Sequence, residues 1–422
     1  MYRSSIFSIL TFVTKYLSYT KTEDSLFRDE YILGEEFREM YSGKISGKFV
    51  KPKIPLVKIV FDKKMEKAAV DAFRNERFVL GESVYKFEEE FAKYCGVDYA
   101  VSTNSGTAAL HLALVALDVT SMHQVVTSPV SFIATANAII HAGATPIFAD
   151  VESKMGTLDS EEFRRKITSK TKAVIPVHLY GCPADMDAIV EIAHKNGLSV
   201  VEDACQAHGA LYKKRSVGSI GDVACFSFYS SKNLTVAGDG GMLVTNDPGI
   251  AKRVAKLRDC GRMSKYTHDM IGYTFRLNTV NAAVGRVMLR RLDELNNNRR
   301  KSAAMYDSLL SDIEGLTLPK TETSEFEPVY HLYVIRSQHR DSLKRWLEGK
   351  GIECGIHYPL PIHLQPIYKK LYGFRGGEYP EGEELCRTCL SIPMHPYLTV
   401  DEINYVSIKI RDFFLRNRIQ ED

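Results

Sequence analysis

From Tyr99 onward, apolar runs of strand length alternate with segments of helical period, and this alternation constrains the fold more than any other feature. Residues 99–103, 124–128, 145–150, 172–178, 198–203 and 224–229 read as strands. Residues 65–75, 83–94, 107–117, 132–142 and 186–195 read as helices. The strands are apolar almost throughout rather than at every second position. That texture predicts a mostly parallel α/β sheet covered by helices on both faces. The Gly-rich AGDGGMLVT adds a tightly turned strand. Residues 279–311 read as one continuous helix. After it come a strand at 331–335, a helix at 342–349 and an amphipathic helix at 401–416. The expected organisation is an extension over residues 1–53, a large domain over 54–290 and a smaller C-terminal α/β domain over 291–422.

Composition narrows the class. Hydrophobic residues make up 45% of the 422 and charged residues 25%, enough apolar material for a sizeable core. The net charge of +3 is too small to point to nucleic acid. The eight cysteines are scattered, as expected of reduced thiols in a cytoplasmic protein. Cys386 and Cys389 form a lone CxxC with no second pair and no nearby histidine pair, so a structural role is expected and no metal site. The N-terminal MYRSSIFSILTFVTKYL has a basic start and an apolar run interrupted by Ser8, Thr11 and Lys15, too soon to span a bilayer. No A-x-A site follows it, the first alanine being Ala68. The expectation is an accessory helix on the body or on a partner subunit, a membrane-surface helix or a disordered segment, with no stable membrane insertion.

Three segments carry chemistry. In VSTNSGTAALHLAL a strand passes through Ser105, Gly106 and Thr107 into a helix, whose first N–H groups and hydroxyls suit an anion. The same residues also make ordinary helix caps. In LSVVEDACQAHGA a buried strand ends at Asp203, with Gln206 three residues on. That carboxylate could bind a metal, act as a base, pair with a protonated ring nitrogen or cap the next helix. In FSFYSSKNLTVAGDGG a strand delivers Ser227 and then Lys232, which becomes an imine-forming nucleophile if desolvated. Together these are the parts pyridoxal 5'-phosphate requires: a phosphate cradle, an acid for the pyridine nitrogen and a lysine. Their order is that of fold-type I pyridoxal-phosphate enzymes.

The sequence resembles the DegT/DnrJ/EryC1/StrS sugar aminotransferases from about Ile54 to Phe414. The resemblance is carried by FVLGESVYKFEEEFAKYCGVDYAV, NSGTAALHLAL, SFIATANAIIHAGATPIFADV, PVHLYGCPADMDAI, VVEDACQAHGA, FSFYSSKNL, GDGGMLVT, RLNTVNAAVG and GIHYPLPIHLQPIY. It implies a fold-type I transferase in which Lys232 forms the internal aldimine and shuttles the proton. Asp203 salt-bridges the pyridine nitrogen, Gln206 bonds the 3-oxygen, Phe132 stacks on the ring, and Ser105, Gly106, Thr107 and Ser227 hold the phosphate. Thr274, where many members have asparagine, reaches the phosphate of the partner subunit, with Arg276 and Asn278 as neighbouring alternatives, so a homodimer is implied. His357, Tyr358 and His363 are candidates for the sugar pocket. His178 and His208 are expected to be structural. The implied reaction moves an amino group, with L-glutamate as expected donor, to a keto-sugar, most simply a nucleotide-linked one. A cyclitol-type ketone is an alternative acceptor, and a non-catalytic pyridoxal-phosphate-binding sensor an alternative role. A dehydratase of the same family would carry histidine in place of Lys232.

Overall fold

The computed structural model describes residues 53–319 and 323–421, so the expectations for the N-terminal extension lie outside the described residues. The described residues form one compact unit. Its strands are β1 (Tyr99–Thr103), β2 (Gln124–Thr127), β3 (Thr145–Phe148), β4 (Thr171–Ile175), β5 (Ser199–Asp203), β6 (Leu211–Tyr212), β7 (Arg215–Ser216), β8 (Val223–Ser227), β9 (Gly241–Thr245), β10 (Phe326–Glu327), β11 (Tyr333–Arg336) and β12 (Cys389–Ile392). The main sheet has seven strands in the order β1-β9-β8-β5-β4-β2-β3. Every pair from β8 to β3 is parallel, and β9 runs antiparallel to both β8 and β1. Strands β1, β5 and β8 therefore point the same way and end at the same sheet edge.

Period-two alternation explains why these strands carry so few polar residues. On β8, Ala224 and Phe226 join one apolar cluster while Val223 and Cys225 join another on the opposite face. On β4, Val174 and its neighbours Ala173 and Ile175 divide between faces in the same way. The helix Gly106–Ala116 is buried nearly all round, as a helix wedged between sheet and neighbouring helices must be.

A third cluster is built from helix Leu292–Leu310, the two-stranded β11–β12 ribbon and the C-terminal helix Val400–Glu421. Ile54 joins this cluster and bridges to Ile352. The first residues of the expected large domain thus pack on the C-terminal part; we retain division near residue 290 as a proposal. The expected single helix over 279–311 is two helices, Thr279–Leu289 and Leu292–Leu310, broken at Arg290 and Arg291. The first packs on the sheet-side cluster through Val284, Val287 and Met288, while the second starts on that cluster with Leu292 and Leu295 and continues onto the C-terminal cluster through Ala303, Tyr306 and Leu310. The break lets one run of good helix formers serve two cores.

Cys386 lies in the last turn of helix Pro380–Thr388 and Cys389 opens β12; both are buried and free, as are Cys95, Cys182, Cys225 and Cys354. Among the described residues no helix is long and apolar enough to cross a membrane.

Candidate active site

The ends of β1, β8 and β5 lie side by side. Thr103 is level with Gly241, Gly241 with Ser227, and Cys225 with Asp203. A functional edge of this kind is where an open α/β sheet binds its ligand. Two glycines make the approach possible. A Cβ on Gly241 would collide with the Ser105 carbonyl oxygen, and one on Gly106 would stand 2.7 Å from Ser227 Cβ. The N-terminus of helix Gly106–Ala116 is thus set directly against the end of β8. Ser105 caps that helix, its hydroxyl accepting from the Ala108 N–H at 3.1 Å. The N–H groups of Gly106 and Thr107 have no partner in the helix and, with Ser227 beside them, form an anion cradle.

Asp203 is buried at the tip of β5. Its carboxylate accepts from the Thr135 hydroxyl at 2.7 Å and from the Cys205 N–H at 3.2 Å. Thr135 is itself bonded to Ser131 at 2.7 Å. Phe132 begins the same helical turn, its carbonyl accepting from the Thr135 N–H, and its ring is 56% exposed. One turn therefore clamps the acid and presents an uncovered aromatic face near Tyr358, whose ring centre is 6.2 Å away.

Gln206 is buried, with its amide oriented by both ends. The carbonyl accepts from the Tyr180 N–H at 2.9 Å, and Nε2 donates to the Tyr358 hydroxyl at 3.4 Å. Tyr180 in turn donates to the His357 carbonyl.

Lys232 follows β8 in a turn closed by its own N–H and the Tyr229 carbonyl at 2.8 Å. Burial pulls its ammonium below lysine's usual range, against the opposing pull of Cys205 and Asp203. A desolvated lysine beside a buried acid is the form in which an amine is a nucleophile near neutral pH.

Sequence reasoning missed Thr135, Tyr180 and His331. His331 is buried, its Nδ1 has no partner, and burial together with the Lys232 charge holds it well below histidine's usual range. Its only sequence signal is a histidine ahead of the apolar run of β11. His208 is likewise held down, to about 3, by burial and Lys232. His178 is structural: Nδ1 accepts from the Ala184 N–H at 3.0 Å and Nε2 meets Glu202 at 3.0 Å.

Of the candidate sugar-pocket residues, His357 and Tyr358 reach this neighbourhood. His357 is bonded through Nδ1 to Ser391 at 2.8 Å and is lowered by burial and by Lys232. His363 is not brought there. The short turn Ile362–Leu364 points it into an aromatic cluster, where it is fully buried against Tyr379, Phe374 and Phe148, with Nε2 3.1 Å from Glu383. It offers no surface to a substrate. His363, Glu378 and Glu383 are also close enough to hold a cation, but both carboxylates already accept backbone N–H groups of Arg375, Gly376 and Gly377. Thr274 is exposed and contacts Asp259 and Cys260 rather than the Lys232 group. Arg276 is paired with Asp259 at 2.6 Å, and Asn278 caps helix Thr279–Leu289.

The residues fit pyridoxal 5'-phosphate: the glycine-bared cradle suits its phosphate, the clamped Asp203 its pyridine nitrogen, and the desolvated Lys232 its aldehyde. Comparison with known proteins agrees. The sequence model of the DegT/DnrJ/EryC1/StrS aminotransferase family matches residues 60–411. The dTDP-3-amino-3,4,6-trideoxy-alpha-D-glucose transaminase of Streptomyces venezuelae is 43% identical over 322 residues, 76% of this chain and 84% of that one. A pleiotropic regulatory protein of Geobacillus stearothermophilus is 40% identical over 346 residues, 82% of this chain and 92% of that one. The crystal structure of S. venezuelae DesV in complex with a ketimine intermediate superposes with a TM-score of 0.82 at 40% identity, covering 85% of this chain and 99% of that one. With a family model spanning residues 60–411 and relatives matched over most of both chains, the chain belongs to the DegT/DnrJ/EryC1/StrS aminotransferase family and is a pyridoxal-phosphate-dependent aminotransferase.

Proposed function

We propose that this aminotransferase takes an amino group from an amino acid, glutamate being the expected donor, and places it on a keto-sugar carried by a nucleotide. The observation that carries the reading is the convergence of Lys232, Asp203 and Gln206 at one sheet edge, with Lys232 desolvated. The dTDP-sugar transaminase named among the relatives supports a nucleotide-linked acceptor. An intact lysine–acid pair favours an enzyme over a sensor, despite the regulatory name of the Geobacillus relative.

When bound, pyridoxal phosphate supplies an electron sink for the carbanion formed at the donor's α-carbon. Lys232 moves the proton at that carbon, because a lysine of lowered basicity accepts and returns it near neutral pH. Asp203, held by the Thr135 hydroxyl and the Cys205 N–H, would keep the ring nitrogen protonated. Gln206, its amide fixed by Tyr180 and Tyr358, would donate to the ring's oxygen. Gly106, Thr107 and Ser227 would hold the phosphate, and the exposed Phe132 would supply an aromatic face for the ring.

We further propose that the working unit is a homodimer, with Thr274 completing the partner's phosphate site. The segment that carries Thr274 also exposes Met263, Tyr266 and Ile271, the last 93% exposed. Apolar side chains gathered there favour an interface.

The test is an absorbance spectrum of the purified protein with pyridoxal phosphate, before and after glutamate. A visible band that bleaches on adding glutamate, and returns with a keto-sugar nucleotide, is the expected result. A band indifferent to every amino acid donor would contradict the reading. Lys232→Ala is expected to lack the band and to lose at least about a thousandfold in turnover.

A further inference from the structure

Lys232 and Gln206 lie on separate segments, and one amide from outside the main sheet is bonded to both segments. Asn296, on helix Leu292–Leu310, is 1% exposed. Its Nδ2 donates to the carbonyl of His208, just beyond Gln206, at 2.8 Å. Its Oδ1 accepts from Asn233 Nδ2 at 2.9 Å, and Asn233 is the residue next to Lys232. Asn233 is also buried, and the same Nδ2 donates to the Val329 carbonyl at 2.9 Å. Backbone carbonyls at both ends fix the direction of these bonds, because either amide turned over would set oxygen against oxygen.

The bonds close into a ring. The Val329 N–H donates to the Gly181 carbonyl at 3.0 Å, and the N–H of Tyr180, next to Gly181, holds the Gln206 carbonyl at 2.9 Å. The chain from Ala204 to Ala210 is stiffened by two turn bonds, Ala207 N–H to Ala204 at 2.9 Å and Ala210 N–H to Ala207 at 3.1 Å. Gly209 keeps the approach open: its φ is +80°, and a Cβ there would stand 2.9 Å from Asn296 Nδ2. On the same stretch of helix, Leu292 and Leu295 are buried in the sheet-side cluster, so packing alone would favour an apolar side chain at 296. The amide there instead ties two segments of the site together.

We propose that Asn296 is a positioning residue: through Asn233 it sets where the Lys232 turn stands relative to Gln206, and so whether the lysine amine meets the aldehyde of the seated cofactor. This rests on the reading of Lys232 as the lysine that joins pyridoxal phosphate. In that joining the amine nitrogen replaces the aldehyde oxygen, which leaves as water with the two amine protons. Asp203 and Gln206 keep their own bonds to Thr135 and Tyr180 without Asn296. The Lys232 turn is closed by its bond to the Tyr229 carbonyl and tied to the rest of the site through Asn233, so it is the part that loosens.

The experiment titrates the full chain with two ligands. Pyridoxal phosphate is followed by its visible band. Deoxypyridoxine phosphate, with a methyl group in place of the aldehyde, is followed by calorimetry; it fills the ring and phosphate sites without joining lysine. Wild type is compared with Asn296→Leu and Asn233→Ala. Pyridoxal phosphate is expected to bind about tenfold more weakly to Asn296→Leu and at least as weakly to Asn233→Ala, while deoxypyridoxine phosphate changes by less than about twofold in both. A role in packing alone would weaken both ligands together. That result would overturn the proposal, as would unchanged binding of pyridoxal phosphate in both variants. Asn233→Ala removes one small amide and decides the matter if Asn296→Leu does not fold. A visible band that survives Lys232→Ala would refute the lysine assignment, and the proposal with it. A band lost in Lys232→Ala but unmoved in the other two variants would leave that assignment standing and overturn the positioning role alone.

Discussion

Asp203 shows how one residue's function depends on others far away in the chain. A carboxylate at a strand end is easily read from VVED, whereas Gln206 and Lys232, set among small and polar residues in ACQA and SSKN, take their roles from the family resemblance. The Thr135 hydroxyl that fixes the carboxylate lies 68 positions earlier, and the Tyr358 hydroxyl against Gln206 lies 152 positions later. Contacts across such separations leave no local trace. His363 was misread for the complementary reason: between Pro361 and Gln365 it has the texture of an exposed loop, and only the tertiary structure turns it into the aromatic cluster. Asp203→Asn is expected to lower kcat by about a hundredfold or more, since a neutral amide no longer favours the protonated ring. Thr135→Val should lower it by about tenfold and change the pH dependence of the cofactor's absorbance, while Thr135→Ser should restore both. Equal loss in the valine and serine variants would show that Thr135 acts through packing rather than through its hydroxyl.

At the scale of elements, the seven main strands were legible because burial on both faces leaves apolar runs bounded by turns. The break at Arg290 was not, because arginine favours helix and the two cores that pull the segment apart are remote in sequence. Glu202, next to Asp203 on β5, also escaped notice. Strand alternation sends it to the other face, where it is fully buried and accepts from His178 and from the N–H groups of Gly218, Ile220 and Gly221 at 2.7–3.0 Å. It thereby ties β5 to the turn that launches β8, the strand that delivers Ser227 and Lys232. Burial pushes its carboxyl up, but the His178 bond and charge and the N–H groups of Gly221 and Gly218 outweigh that and hold it below the usual glutamate value. Glu202→Gln is expected to cost about 3 kcal/mol at pH 7, because one carbonyl replaces a carboxylate facing several donors. A carboxyl depressed in the folded state stabilises above its unfolded value and stops doing so as pH falls through the folded one. The gap between wild type and variant in urea melts should therefore narrow below pH 4.5. A gap that is constant with pH would place the cost in packing alone.

The whole molecule raises the question of how many chains make one site. Lys232, Asp203, Gln206 and the Gly106 cradle come from a single chain, whereas Thr274 sits apart on an exposed segment flanked by Tyr266 and Ile271. If that segment serves a partner, lesions at Lys232 and Thr274 in different chains fall on the same site of a hybrid dimer. We therefore expect Lys232→Ala and Thr274→Asp each to be inactive, the second because a carboxylate repels the phosphate. Mixed in equal amounts through unfolding and refolding with cofactor, they should regain activity. Half of randomly assorted dimers are hybrids, and each hybrid has one doubly damaged site and one intact site, giving about a quarter of wild-type activity. If Thr274 served its own chain, every site in a hybrid would carry one lesion and nothing would return. Ile271→Asp separates assembly from chemistry: a monomer by light scattering, with turnover lost, is expected if this face is the interface. Recovery near a quarter together with a monomeric Ile271→Asp would make the dimer the catalytic unit, so that stability of the interface and occupancy of the cofactor site would rise and fall together.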